Sequence, residues 1–150
     1  MTFKSKVNLL TIALFFITTI SIAQKKNSQP FIISGDVAIG KYHDREQLEG
    51  MQKGKLLLLY NRRIEVIIKI LPNIAFATKP GITMSSLGIP DTKENRSALV
   101  DNINATTNYF NNTIAFQKIV LPYSDKGDLI SAILFYEETL KALHTYDDFK

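Results

Sequence analysis

The sequence predicts an all-α fold, an up-down-up bundle of three main helices that follows an extended N-terminal arm. Apolar residues recur at helical spacing in three segments, at about residues 44–71, 92–121 and 125–146. Pro72 and Pro122 stand where the first two of these segments must end. The short connection between the second and third segments is typical of neighbouring antiparallel helices in a bundle.

Residues 1–23 have the layout of a secretory signal peptide. Lys4 and Lys6 precede an apolar stretch without a charge, and small residues end it at Ala23, just before Gln24. We therefore expect cleavage between Ala23 and Gln24 and export to the periplasm or the surroundings of a bacterial cell. The alternative is an uncleaved membrane anchor, for which this stretch has about the minimum length. No later segment is expected to span a membrane.

The composition limits the function classes. Loss of residues 1–23 from the 150-residue chain would leave 127 residues, enough for one domain with one core. Two of the 18 basic residues lie in that segment, so 16 basic and 14 acidic residues would remain. A balance this even argues against nucleic-acid binding, which needs a clustered basic surface. The chain has no cysteine, so we expect neither a lipoprotein anchor nor a disulfide.

The arm is predicted to comprise residues 24–43. Its β-branched stretch at 31–39 has no second strand in the chain to pair with. We expect this stretch to lie extended over the helices or to join a sheet in a partner. The first helix is expected as one continuous segment, although Gly50 and Gly54 each disfavour its first turns by about 1 kcal/mol relative to alanine.

The connector between the first two helices is too apolar for a free loop. We expect a single helical turn at residues 83–87, closed by Gly88, that packs as a lid on the end of the bundle. A mobile binding loop is the alternative. Asp91 and Glu94 then form an acidic variant of the capping box, which predicts the start of the second helix.

Three polar side chains fall inside predicted apolar faces. Arg63 lies on that of the first helix, and Glu137 and His144 lie on that of the third. Because a buried charge needs a partner, we predict an Arg63–Glu137 ion pair, extended by His144, that holds the helix register. Two alternatives stay open: Arg63 could reach solvent along its aliphatic stem, or the three residues could line a pocket for a small anionic ligand.

A second apolar stripe on the second helix lies outside the predicted inner face. It consists of Ala105, Tyr109, Phe116 and Val120. Either the stretch at 31–39 or another chain is expected to cover it, which makes Tyr109 and Phe116 candidate partner contacts. The helix is also rich in asparagine, from the general composition of the chain or as an uncharged face for a glycan or a protein.

No motif for catalysis or for a cofactor occurs. The chain has neither a Gly-x-Ser-x-Gly turn nor a glycine-rich phosphate loop. It has two histidines, and the acids beside His43 stand at a predicted helix start, so we expect no metal site. The predicted function is a non-enzymatic interaction or structural module of the bacterial envelope or secreted fraction, with a protein partner or as a homo-oligomer. The alternative is a small-ligand binder or enzyme that uses Arg63, Glu137 and His144.

Overall fold

The computed structural model describes residues 29–35 and 37–146, except for the side chain of His144. The predicted signal segment and its cleavage site lie outside the described residues. Over the described ranges the chain forms four α-helices and no β-strand, which confirms the all-α class. The helices are α1 (Arg45–Glu49), α2 (Lys53–Ile70), α3 (Lys93–Val120) and α4 (Lys126–Tyr146), and 3₁₀ turns occur at Leu71–Asn73, Ser85–Leu87 and Leu121–Tyr123. None of these helices combines the length and hydropathy needed to cross a membrane.

The first predicted helix is in fact two helices. Asp44 caps α1 by accepting the Gln47 backbone N–H at 2.8 Å, and Gly50 ends it. Gln52 then takes an extended backbone conformation, with φ −68° and ψ 147°, before α2 begins. The prediction of one continuous helix over 44–71 was wrong because the weak helix former Gly50 allows the chain to turn where Leu48 is buried.

The start of α3 was placed to within a residue, but its cap was assigned to the wrong side chain. Thr92 is the cap and accepts the Asn95 backbone N–H at 3.1 Å. Asp91 instead binds the guanidinium of Arg96 through both carboxylate oxygens. A charge-assisted bidentate pair is stronger than a single capping hydrogen bond, so the carboxylate is drawn away from the helix end.

The buried core lies mainly between α2 and α4. One apolar cluster joins Leu48 of α1, Leu56 of α2 and two isoleucines of α4, Ile130 and Ile133. A second cluster lies towards the other end of α2 and includes arm residues; its buried members are Ile33, Val37, Val66, Ile70, Ala77, Leu140 and Leu143. By contrast, the 28-residue α3 buries one side chain, that of Leu99.

The arm finds its backbone partner in the connector. Ile32 N–H donates to the Ile82 carbonyl at 2.8 Å, and Gly81 N–H donates to the Ile33 carbonyl at 2.9 Å. No second strand is present among the described residues, but an isolated antiparallel bridge between Phe31 and Thr83 pairs the arm with the connector. Gly81 has φ 85°, a left-handed turn conformation that favours glycine.

The connector packs as the predicted lid. Met84 is buried, and Ile82 packs against the second core cluster. The helical turn is the 3₁₀ turn Ser85–Leu87, and Gly88 closes it with φ 72°.

Close contacts also join the ends of the helices on the other side of the molecule. The Lys53 ammonium donates to the Pro122 carbonyl, and the Lys126 ammonium donates to the Glu49 carbonyl, each at 2.7 Å.

Candidate functional site

A buried ion pair connects the middle of α2 to α4. Arg63 Nε lies 2.8 Å and Arg63 Nη2 lies 2.6 Å from Glu137 Oε1. The side chains are 4% and 0% exposed, respectively. The predicted pairing is confirmed, and Arg63 does not reach solvent. Helical periodicity was enough to find it, because it placed each charge on the face that its helix turns towards the core.

The histidine of this cluster comes from the arm. His43 donates its backbone N–H to Glu137 Oε2 at 2.5 Å, and His43 Nδ1 lies 3.0 Å from Glu137 Oε1. Arg63 Nη2 also donates to the Lys41 carbonyl at 2.6 Å. Sequence reasoning missed His43 because it stands on an extended segment, where no periodicity indicates which way a side chain points. The role of His144 stays a prediction, since its side chain is outside the described part.

The contacts keep Glu137 ionised. Burial raises the pKa of the carboxyl group, but hydrogen bonds from the backbone and ring of His43 and from Arg63, together with the guanidinium charge, hold the pKa below its ordinary value. Arg63 and His43 thus compensate the desolvated charge. The cluster ties the arm, α2 and α4 together at one point.

The surface clefts beside the described residues do not open onto the cluster of Arg63, His43 and Glu137. One of about 230 Å³ separates the arm from the end of α2 and from α3, with Phe31, Lys69, Asn73, Asn102 and Thr106 in its wall. Another of about 200 Å³ is largely apolar and lies between the arm and α4. Both are below the usual range for small-molecule pockets, about 300–1,000 Å³, and neither is lined by Arg63, His43 or Glu137.

The other candidate site is on the outside of α3. We define the outer face of α3 as five exposed residues, Ala105, Tyr109, Asn112, Phe116 and Ile119. Three of them are large and apolar, with exposed fractions of 61% for Tyr109, 64% for Phe116 and 69% for Ile119. Over the described residues the arm lies against α2, α4 and the connector and does not cover Tyr109 or Phe116. The described part of the arm therefore does not provide the covering predicted for this stripe.

The outer face is also free of charge. No charged side chain occurs from Asn102 to Gln117, and the asparagines 102, 104, 108, 111 and 112 are exposed. Isolated exposed apolar residues are normal on a soluble protein, as with Leu58 on α2 and Phe135 on α4. A row of aromatic and aliphatic side chains along an uncharged stretch of helix is different, because such patches mark contact surfaces.

The described residues bring no three His, Cys, Asp or Glu side chains close enough to hold a metal ion. The chain matches no protein-family model, no curated protein and no solved structure. A function must therefore be inferred from the buried cluster at Glu137 and from the outer face of α3.

Proposed function

We propose that this chain is an exported, non-enzymatic interaction module that binds a protein through the outer face of α3. The observation that carries the proposal is the contrast within one helix: α3 has 28 residues and buries one of them, while Tyr109, Phe116 and Ile119 stay mostly exposed. A surface helix held by so little core has a second face that a partner can cover.

Export is the part of the proposal that rests on residues 1–23. The charged start, apolar middle and small-residue end favour cleavage between Ala23 and Gln24. Intact-mass measurement of the protein recovered from the envelope and from the medium would test this. A chain that starts at Gln24 supports export, whereas a chain that keeps residues 1–23 in a membrane fraction overturns it in favour of an anchor.

We propose an up-down-up arrangement for the three long helices. The contacts of Lys53 with Pro122 and of Lys126 with Glu49 support it, because the start of α2 lies beside the end of α3 and near the start of α4. The Arg63–Glu137 pair is consistent with α2 and α4 running in the same direction. This arrangement leaves α3 with an outward face along its full length.

The alternative of a ligand pocket at Arg63, Glu137 and His144 has less support. Glu137 is 0% exposed, and its carboxylate already accepts hydrogen bonds from Arg63 and His43. Such a cluster stabilises a fold more readily than it admits a small anion. We therefore favour the structural role for the ion pair and the interaction role for α3.

The test is capture of a partner from the native envelope or secreted fraction by the purified protein, with matched variants. Phe116→Ser removes an aromatic ring from the outer face, and Phe135→Ser removes an equally exposed ring from α4. We expect the wild type and Phe135→Ser to bind the same protein, and Phe116→Ser to lose at least tenfold in binding, the effect typical of an aromatic hot spot, about 2 kcal/mol. Equal capture by all three forms would contradict the proposal.

A further inference from the structure

The outer face of α3 has the spacing of a coiled-coil seam. Ala105, Tyr109, Asn112, Phe116 and Ile119 follow one another at intervals of four, three, four and three residues. That alternation is the heptad repeat with which one helix packs along another. All five residues are exposed. Tyr123, which is 89% exposed, lies just beyond them in the 3₁₀ turn that follows α3. The seam is complete and has no partner among the described residues.

We propose that the occupant of this seam is α3 of a second copy of the same chain, packed antiparallel about a two-fold axis near Asn112. This inference rests on the proposed interaction role of α3 and names its partner. Asn112 is the midpoint between Ala105 and Ile119, so an antiparallel pairing sets Ala105 opposite the partner's Ile119. The same register sets Tyr109 opposite the partner's Ala115, one position from the partner's Phe116, so the two rings lie next to each other.

The pairs formed in this register are complementary in size and chemistry. A small alanine faces a large isoleucine. One pair of aromatic rings forms on each side of the axis, an arrangement that stabilises interfaces. Asn112 meets the partner's Asn112, and an amide can donate and accept at once, so each satisfies the other. In parallel coiled coils a single asparagine at an a position specifies register at a cost in stability, and the proposal gives Asn112 the same part in this antiparallel pair.

Charge gives a second argument for self-association. Two identical surfaces repel each other when they carry charge, and from Asn102 to Gln117 this helix carries none. The next charged residue, Lys118, is two positions from Phe116 and therefore about 200° around the helix, away from the seam. On the other side Asp101 lies one turn before Ala105 on the seam side of the helix, so the proposed register sets it beside the partner's Tyr123 at the exposed end of the contact and leaves the middle of the seam without charge.

The surface beside the seam offers room for the partner's side chains. An open cleft of about 300 Å³ lies between α2 and α3, lined by Ile68, Pro72, Ala105, Thr106 and Tyr109. The proposed register aims the partner's Ile119 at Ala105, at the edge of this cleft. By the two-fold symmetry, Ile119 of each copy lies at the cleft of the other. The contact is therefore closed and forms a dimer without extending into a filament.

The size of the contact indicates its strength. Covering the exposed parts of Tyr109, Phe116, Ile119 and Tyr123 removes roughly 450 Å² per copy, about 900 Å² in total, which is below the range of stable interfaces and typical of weak, transient ones. We therefore expect a dissociation constant in the micromolar range, with monomer and dimer exchanging as the concentration changes.

Single cysteines test the pairing sharply because the chain has none of its own. The full-length gene is expressed in a bacterial host, and the purified product is oxidised at about 50 µM, above the expected dissociation constant. Asn112→Cys should give a disulfide-linked dimer, and Asn111→Cys, an exposed neighbour on a different face, should cross-link at least tenfold more slowly, since its sulfur lies out of bonding range. Equal rates for the two variants would overturn the proposal.

Direction is tested with two further variants. Ala105→Cys and Ile119→Cys should each cross-link poorly alone and readily when mixed, because only an antiparallel pair brings positions 105 and 119 together. Efficient cross-linking of each variant with itself would mean a parallel pair and would overturn the proposed register.

Sedimentation velocity separates this inference from the proposed function. The wild type and Phe135→Asp should approach twice the monomer mass as concentration rises, while Phe116→Asp should stay monomeric. Circular dichroism checks that Phe116→Asp is folded, and Tyr109→Ser is used in its place if that variant is not. If the wild type stays monomeric and Phe116→Ser still loses a captured protein, the dimer is wrong and the interaction role stands. If the wild type stays monomeric and capture is unchanged in Phe116→Ser, both fail.

Discussion

The three long helices have similar numbers of apolar residues, 10 in α2, 11 in α4 and 12 in α3, but α3 uses them differently from the α2–α4 pair. Between α2 and α4 lie the buried leucines and isoleucines of both core clusters and the ion pair of Arg63 with Glu137. Along α3 one residue is buried, and aromatic side chains face outward. The number of apolar residues in a helix therefore does not determine how many of them are buried in the core. The split between two faces decides whether a helix supports the fold or offers a surface.

The largest difference should come from breaking the buried ion pair. Glu137→Gln removes the negative charge and leaves the Arg63 guanidinium buried without compensation, so we expect the free energy of unfolding to fall by about 4 kcal/mol. Denaturant unfolding followed by circular dichroism measures it. The matched control is Glu138→Gln, which removes an exposed partner of Lys141 and should change stability by less than about 0.5 kcal/mol. Equal effects of the two substitutions would refute a buried, structural role for Glu137.

A cavity in the α2–α4 core should cost nearly as much. Ile133 is fully buried against Leu48 and Leu56, and Ile133→Ala should lower the free energy of unfolding by about 3 kcal/mol. Ile119→Ala makes the same chemical change on the outer face of α3 and should cost less than about 0.5 kcal/mol at concentrations that keep the protein monomeric. A loss at Ile119 as large as that at Ile133 would show that the face is packed within the monomer.

Lowering the pH should also reduce the free energy of unfolding through Glu137, gradually and by less than the substitutions above. The folded pKa of Glu137 is below its ordinary value, so the carboxylate stabilises the fold above the unfolded pKa, about 4.3, and this contribution is lost as the pH falls through the folded pKa. Unfolding free energies measured from pH 7 down to pH 3 should therefore decrease. The decrease should be less steep in Glu137→Gln, in which the remaining slope belongs to other carboxylates such as Glu65. Identical slopes would mean that Glu137 does not titrate with folding.

The smallest effect on stability is expected at Phe116. Its ring is mostly exposed, so Phe116→Ser should change the unfolding free energy of the monomer by no more than about 0.5 kcal/mol. The thermal midpoint of the dilute protein measures this. A drop of several degrees would place Phe116 in the monomer core and weaken the case for an interaction surface on α3.

Sequence reasoning found the features that depend on helical periodicity. The limits of α3 and α4, the Arg63–Glu137 pair and the outer stripe with Tyr109 and Phe116 all follow from which residues share a helix face. These features need no knowledge of how distant segments meet.

The features that were missed depend on tertiary contacts. His43 reaches Glu137 across 94 positions of the chain, and no local pattern encodes that approach. Asp91 leaves the helix end because Arg96 attracts it, and the arm pairs with the connector through backbone groups that every residue has. Competition of this kind is decided by the assembled fold.

The anchoring of the arm has a consequence for when this chain can fold. In the arm, Ile33 and Val37 pack in one cluster with Leu140 and Leu143, and His43 donates to Glu137; these α4 residues are close to a hundred positions further along. Synthesis proceeds from the N-terminus, so these contacts cannot form until α4 has emerged from the ribosome. Contacts between such remote segments also slow folding, because a long loop must close first. Until then the described part of the arm lacks the contacts that hold it, and the export proposed above would act on the chain in that state, before α4 has locked the arm in place.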